Sequence, residues 1–210
     1  TKQFTSPINV AIPSGNFGNA YSAWFGRSNG LPISEIFCST NVNDVLRRFI
    51  DGGVLEPLVT QPSVAPSMDI QIPSSLERLI FDLSDEVKEF YVQLQSNSKA
   101  QLDKKSFDAL KSIFSSFTFP DDIITTLITS LHTEFDIIFD PHSVTSVQMA
   151  LDNDSSLSTV AVATASPEKF GNVISPLING FTESKIDQKE QYLTLNTENT
   201  VIIEAIKAFI

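Results

Sequence analysis

One run near the amino terminus, residues 8–20, constrains the fold of this chain more than any other. It reads Ile-Asn-Val-Ala-Ile-Pro-Ser-Gly-Asn-Phe-Gly-Asn-Ala, an apolar strand pattern followed by a glycine-containing loop and the start of a helical pattern. Gly15 and Gly18 let the backbone approach a ligand closely, and the first amides of the next helix have no acceptor within that helix. Phosphate fits this order of elements. An ordinary turn between a strand and a helix has the same spacing, so the run alone leaves both interpretations open.

The residues around this loop predict one β-α-β unit. Residues 8–12 predict a strand, residues 19–29 a helix that Gly30 ends, and residues 36–39 a second strand. Such a unit is normally parallel and places its loop at the carboxyl end of the first strand, where α/β sheets bind ligands. After it, Asn43 is expected to cap a helix over residues 44–50.

The middle of the chain is expected to be a connection followed by helices. Prolines make residues 54–73 irregular, and Ser74 with Glu77 has the spacing of a capping box that opens a helix. Apolar residues recur at helical spacing between residues 85 and 139, with Phe114 in the second of three groups. This pattern predicts a packed insertion of three helices.

The last part of the chain returns to alternating strands and helices. A helix is expected after Ser143, a strand over residues 159–165, and a closing strand and helix over residues 192–196 and 201–209.

Composition narrows the class of partner. Hydrophobic residues make up 41% of the 210 residues, which is enough for one substantial core, and the formal net charge is −11. Nucleic acid and anionic membranes demand basic surface, so neither is expected as a partner. No apolar run approaches the ~18 residues needed to span a bilayer, and no signal peptide pattern is present. A cytoplasmic location, or an organellar matrix, is the expectation.

The inventory of reactive side chains does not favour metal or triad chemistry. His132, His142 and Cys38 are too few and too scattered for a zinc site, and no Gly-x-Ser-x-Gly elbow is present. Cys38 lies in an apolar strand pattern and is expected to be buried and inert. Arg47 and Arg48 are expected to face solvent or to form structural ion pairs.

Five blocks in order along the chain resemble the threonine synthases of the fungal and enterobacterial branch, which are pyridoxal phosphate (PLP) enzymes of fold type II. The blocks comprise residues 14–19, then 30–33 with 40–49, then 66–70 with 74–79, then 140–143, and then 163–170. The resemblance is close over residues 8–82 and 139–174 and thin over residues 83–138.

The resemblance implies an α/β fold, namely part of a large domain like that of the tryptophan synthase β subunit, with a parallel sheet, flanking helices and a helical insertion. Residues 1–53 would be the β-α-β phosphate-cradle part, residues 54–138 the connection and insertion, and residues 139–210 the C-terminal part of that domain. In this family the lysine that carries PLP stands in an Ala-Phe-Lys-Asp type motif, and none of the lysines here does. The chain is therefore interpreted as a C-terminal portion, with no catalytic residue of its own, that needs the remainder of the polypeptide. By itself it is expected to be inactive.

The resemblance also implies a reaction and a cofactor site. The reaction converts O-phospho-L-homoserine and water into L-threonine and phosphate, a lyase step of threonine biosynthesis. Ser143 stands where the family has a threonine whose hydroxyl meets the pyridine nitrogen of PLP, and Phe17 would help wall the pocket. The 5′-phosphate would be held by the five loop residues Gly15, Asn16, Phe17, Gly18 and Asn19.

Two other functions stay open at this point. Serine at position 143, together with Ser166 where the family usually has histidine, is also similar to the animal threonine-synthase-like phospholyases. These relatives would release phosphate without making threonine. A truncated relative without catalysis, which only binds phosphate groups or a partner protein, is the second alternative.

Overall fold

A parallel sheet of four strands forms the centre of the computed structural model, which describes residues 6–182. The strands are β1 (Ile8–Pro13), β2 (Ile33–Thr40), β5 (Phe114–Thr118) and β6 (Thr159–Ala161), and their order across the sheet is β5-β2-β1-β6. All three pairings are parallel. A separate antiparallel pair joins β3 (Val54–Leu55) to β4 (Ala100–Gln101).

Eight helices connect and cover these strands within the described residues. They are α1 (Gly18–Ser28), α2 (Val45–Gly52), α3 (Leu76–Leu83), α4 (Val87–Asn97), α5 (Lys104–Lys111), α6 (Asp121–Phe135), α7 (Ser143–Leu151) and α8 (Gly171–Ile174). Two 3₁₀ turns, Pro66–Met68 and Pro167–Phe170, lie in the connections.

Apolar side chains cover both faces of the sheet. On β1, Val10 and Ile12 belong to the core shared with α1, α2 and α3, whereas Ala11 belongs to the core shared with α6, α7 and α8. Successive strand residues point to opposite faces, so a strand covered on both sides is apolar throughout. This burial explains the apolar run from Val10 to Ile12, whereas Asn9 of the same strand is a buried polar residue. The predicted α/β fold class with a parallel sheet and flanking helices is confirmed.

The β-α-β unit is confirmed, with β1 and β2 parallel and α1 between them. The three helices predicted between residues 85 and 139 are present as α4, α5 and α6. The strand predicted over residues 159–165 is shorter, since β6 ends at Ala161. The strand and helix predicted over residues 192–196 and 201–209 lie outside the described residues.

The helical prediction for Phe114 is wrong, because this residue begins β5, which pairs with β2 in the central sheet. Phe114 and Phe117 are three residues apart, a helical spacing, yet Phe114 and Ser116 are the two buried residues. The Ser116 hydroxyl donates a hydrogen bond to the Cys38 carbonyl oxygen at 2.7 Å. A polar residue therefore occupies the buried face, which conceals the alternation of the strand. The segment contributes a strand to the sheet as well as three helices.

Two predicted helix caps are also wrong. Helix α2 begins after Asp44, and Asn43 instead donates a side-chain hydrogen bond to the Gln61 carbonyl oxygen at 2.8 Å. Helix α3 begins after Ser75 with no side-chain cap, and the Ser74 hydroxyl donates to Asn16. In both places tertiary partners outcompete the local cap.

Candidate functional site

Among residues 6–182, the first backbone amides of α1, after the loop that follows β1, have no hydrogen-bond acceptor. The amide of Tyr21 donates to the Phe17 carbonyl oxygen at 2.9 Å, which is the first bond of the helical ladder. The amides of Gly18, Asn19 and Ala20 precede that bond and have no acceptor in the helix. They lie at the positive end of the helix dipole, at the carboxyl end of a parallel strand. An anion is the ligand that suits this arrangement.

Phe17, rather than a glycine, adopts the left-handed conformation in this loop, with φ 69° and ψ 6°. Among the described glycines only Gly30, Gly53 and Gly180 have positive φ. A bulky residue in this region is strained. The Phe17 ring is 1% exposed and packs in the core with its centroid 5.5 Å from that of Phe114, and this burial opposes the strain.

Gly15 is required by close packing rather than by its φ angle. A Cβ atom at this position would lie 2.7 Å from the Ser67 carbonyl oxygen and 2.9 Å from the Met68 Cα. At Gly18 the nearest atom to an added Cβ is the Ser75 hydroxyl oxygen, 3.7 Å away, an ordinary contact. The two glycines of the loop therefore have different structural roles.

The Ser67–Met68 segment that packs on Gly15 is held by the carboxylate of Asp69. Oδ1 of Asp69 accepts hydrogen bonds from the side-chain amides of Asn41 at 2.6 Å and Asn43 at 3.0 Å. Asn41 and Asn43 follow the end of β2 and are buried. The asparagines of the 40–49 block therefore fix the 66–70 block, of which Ser67 and Met68 line the cavity.

Asn16 joins the same loop to the start of α3. Its Oδ1 accepts hydrogen bonds from the backbone nitrogen of Ser74 at 2.6 Å and from the Ser74 hydroxyl at 3.0 Å. The Asn16 carbonyl oxygen also accepts from the Ser75 amide at 3.1 Å. Asn19, by contrast, is exposed, and no side-chain hydrogen bond ties it to the described residues.

His142 and Thr164 continue the lining beside the Ser67–Met68 segment. The Ser67 amide donates to Nε2 of His142 at 3.0 Å, so Nε2 is the acceptor and Nδ1 carries the proton. Nδ1 then donates to Oδ1 of Asp140 at 2.8 Å. Burial favours the neutral acid at Asp140, but hydrogen bonds from His142 and Ser143 outweigh it and hold the pKa of this carboxyl below its usual value.

Ser143 lies immediately behind this part of the lining. It is fully buried, and its hydroxyl oxygen accepts a hydrogen bond from the Thr164 amide at 2.9 Å. The hydroxyl proton is not used in that bond, and the Ser143 side chain donates it towards the Asp140 carboxylate. Ser143 itself is not among the residues that line the cavity, whereas its neighbour His142 and its partner Thr164 are.

These segments line an open cleft of about 250 Å³. It brings the five predicted loop residues together along one side. Its lining consists of Pro13, Ser14, Gly15, Asn16, Phe17, Gly18, Asn19, Ser67, Met68, His142 and Thr164. Sequence reasoning did not assign Ser67, Met68, His142 and Thr164 to the site, although each stands in one of the blocks described above.

Other side chains singled out in the sequence lie away from the cavity. Cys38 is buried, and burial raises the pKa of its thiol to about 12, as expected for an inert residue. Arg47 and Arg48 both form ion pairs with Asp44, at 2.7 Å and 2.9 Å, so the predicted structural pairing is confirmed. No helix of residues 6–182 is both long and apolar enough to cross a membrane.

Comparison with known proteins gives relatives named threonine synthase and relatives named threonine synthase-like 1, one of which, from Homo sapiens, is 30% identical over 179 residues, 81% of this chain and 24% of that protein. No family model matches the chain. Threonine synthase of Pseudomonas aeruginosa is 31% identical over 173 residues, which cover 80% of this chain and 37% of that protein. Threonine synthase of Saccharomyces cerevisiae is 28% identical over 204 residues, which cover 86% of this chain and 40% of that protein. The chain thus spans well under half the length of these curated relatives.

A solved structure shows the same similarity. The PLP-bound threonine synthase of Brucella melitensis superposes with a TM-score of 0.83 at 27% sequence identity, over 99% of this chain and 47% of that one. Sequence and structure together confirm that the chain resembles part of the threonine synthases and shares their PLP fold type II architecture.

Proposed function

We propose that this chain supplies the 5′-phosphate cradle and the pyridine-nitrogen partner of PLP in a polypeptide that converts O-phospho-L-homoserine and water into L-threonine and phosphate. The observation that carries the proposal is the cavity at the carboxyl end of β1, where Gly15 and the unpartnered amides of α1 share one wall. The PLP-bound relative of the same fold supports the choice of ligand.

The residues present fit the phosphate group of PLP. No lysine or arginine lines the cavity within residues 6–182, so the charge would be met by the amides of Gly18 and Asn19 and by the helix dipole. The close packing of Gly15 on Ser67 keeps the loop fixed before the anion arrives. A preformed cradle of this kind avoids the entropy of ordering a loop on binding.

The Ser143 hydroxyl is the kind of group that can donate a hydrogen bond to the pyridine nitrogen of PLP. Its oxygen accepts from the Thr164 amide, so the hydroxyl would act as a neutral donor to the ring nitrogen by giving up its hydrogen bond to the Asp140 carboxylate. A neutral donor pairs with an unprotonated ring nitrogen. When bound, PLP supplies the electron sink for chemistry at the amino-acid carbons.

The lysine that carries the cofactor has no candidate in this chain. None of its lysines stands in the Ala-Phe-Lys-Asp setting of the family, and none of the described ones lines the cavity. We place that lysine on the remainder of the polypeptide, and we expect the 210 residues alone to be inactive.

The test uses the full-length polypeptide that contains this chain, freed of cofactor and titrated with PLP and with pyridoxal, which lacks the phosphate. PLP should bind at least about tenfold more tightly, because only its phosphate engages the α1 amides. Equal binding of the two would refute the cradle assignment. Arg47→Gln, on α2 outside the cavity, is the matched control and should leave both affinities unchanged.

The product then separates the proposal from its alternatives. Incubation of the loaded protein with O-phospho-L-homoserine should give threonine and phosphate in equal amounts. Phosphate without threonine would favour the phospholyase alternative, which the serines at positions 143 and 166 support. Phosphate binding with no turnover would favour a non-catalytic relative.

A further inference from the structure

We propose that His142 is a positioning residue, which holds two parts of the candidate site in one fixed arrangement. The first part, the Ser67 wall, is the Ser67–Met68 segment beside Gly15, and the second, the Ser143 turn, is the turn from Asp140 to Ser143. The inference rests on the proposed function for the identity of the ligand. The positioning role itself is inferred from the hydrogen bonds of one buried imidazole.

His142 connects two segments that are far apart in the sequence. Its Nε2 accepts from the backbone nitrogen of Ser67, 75 positions away, and that segment packs on Gly15. The ring is buried, and its centroid lies 4.7 Å from that of Phe170, so it has little freedom to move. Because the bond to Ser67 is made to a ring nitrogen and not to the backbone, its length depends on where the imidazole is held.

Asp140 holds the imidazole and the Ser143 turn with the same oxygen. Its Oδ1 accepts from Nδ1 of His142 at 2.8 Å, from the His142 amide at 2.9 Å and from the Ser143 amide at 3.3 Å. A displacement of the carboxylate or of the ring would therefore change the positions of Ser143 and Ser67 together. His142 also lines the cavity, so its orientation shapes the space between the two ends.

Replacing His142 with asparagine or with glutamine tests its bonds to Asp140 and to Ser67 separately. The amide of His142→Asn can replace the Nδ1 donor to Asp140 but ends short of Ser67. The longer His142→Gln can place its oxygen near the position of Nε2 and accept from Ser67. If His142 positions the Ser67 wall, His142→Gln should therefore preserve ligand affinity and His142→Asn should not.

The experiment measures equilibrium binding of PLP and of inorganic phosphate to the full-length protein. His142→Asn should weaken both affinities about tenfold, the loss expected for one hydrogen bond in a buried site. His142→Gln should return them to within about threefold of the parent. His132→Asn, the same exchange on α6 away from the cavity, should leave both unchanged.

The other outcomes contradict either the proposed function or the positioning role of His142. If the parent binds neither ligand, the proposed function fails. If the parent binds and His142→Asn binds equally well, the proposed function stands and the positioning role is refuted. Equal losses for asparagine and glutamine, or a matching loss for His132→Asn, also refute it.

Hydrogen exchange of the parent tests the same bond without a substitution, should His142→Asn fail to fold. The Ser67 amide, although its residue is exposed, should exchange at least about tenfold more slowly than in an unstructured peptide, because the imidazole accepts it. Exchange at the unstructured rate would overturn the inference.

Discussion

Asn16 accepts two hydrogen bonds from Ser74, one from the backbone nitrogen at 2.6 Å and one from the hydroxyl at 3.0 Å. The two residues are 58 positions apart, so this contact ties the loop after β1 to the start of α3. It also uses the serine that would otherwise cap the helix.

Replacing Asn16 with alanine should lower the free energy of unfolding by about 1 kcal/mol, because exposed hydrogen bonds of this kind contribute about 0.5 to 1.5 kcal/mol. Asn19→Ala is the matched control in the same loop, since Asn19 is exposed and makes no such contact. Urea denaturation of the two variants checks the difference. Equal midpoints would contradict the structural role of Asn16.

The two glycines of the loop should respond differently to alanine. Gly15→Ala forces a Cβ to within 2.7 Å of the Ser67 backbone and should cost about 1 to 3 kcal/mol, the usual range for overpacking. Gly18→Ala meets nothing closer than 3.7 Å and lies in helix α1, where alanine is favoured over glycine. Denaturation midpoints should fall for the first variant and stay level or rise for the second.

At Phe17, substitution by glycine should destabilise the fold less than substitution by alanine. Both substitutions remove the buried ring, but glycine tolerates φ 69° without the steric cost that alanine retains. Phe17→Gly should therefore be more stable than Phe17→Ala by about 1 kcal/mol, and both should be less stable than the parent. Thermal unfolding in parallel measures the order. An alanine variant as stable as the glycine variant would argue against the left-handed conformation.

Asp140 should make stability depend on pH in the acidic range. Its pKa is held below the usual value in the folded state, so its contribution is present above the unfolded pKa of about 3.9 and is lost as pH falls through the folded pKa. Asp140→Asn should cost about 1 to 3 kcal/mol at pH 7, because the hydrogen bonds to a charged acceptor are removed. The gap between the two proteins should narrow below pH 4 in urea titrations. A constant gap would exclude the ionised carboxylate as its cause.

The sequence predicts the β-α-β unit and the loop because burial on both faces and unpartnered amides follow from local pattern. Phe114 illustrates where this reasoning fails, since a serine on the buried side of β5 obscures the strand period. His142 illustrates a second failure. Its bond to Ser67 depends on a fold that brings residues 75 positions apart together, and no local spacing encodes that contact. Ser143 is proposed as a site residue through a family resemblance and not through its spacing.

The walls of the cavity come from residues 13–19, 67–68, 142 and 164. These positions are distributed over most of the described chain, so the cavity does not exist until the strands β1, β2 and β6 are assembled. A ligand that binds only the assembled cavity shifts the folding equilibrium of the entire unit by mass action. Under the proposed function that ligand is PLP, and its supply would then raise the abundance of this protein in the cell, because molecules without it would unfold more often and reach proteases more readily.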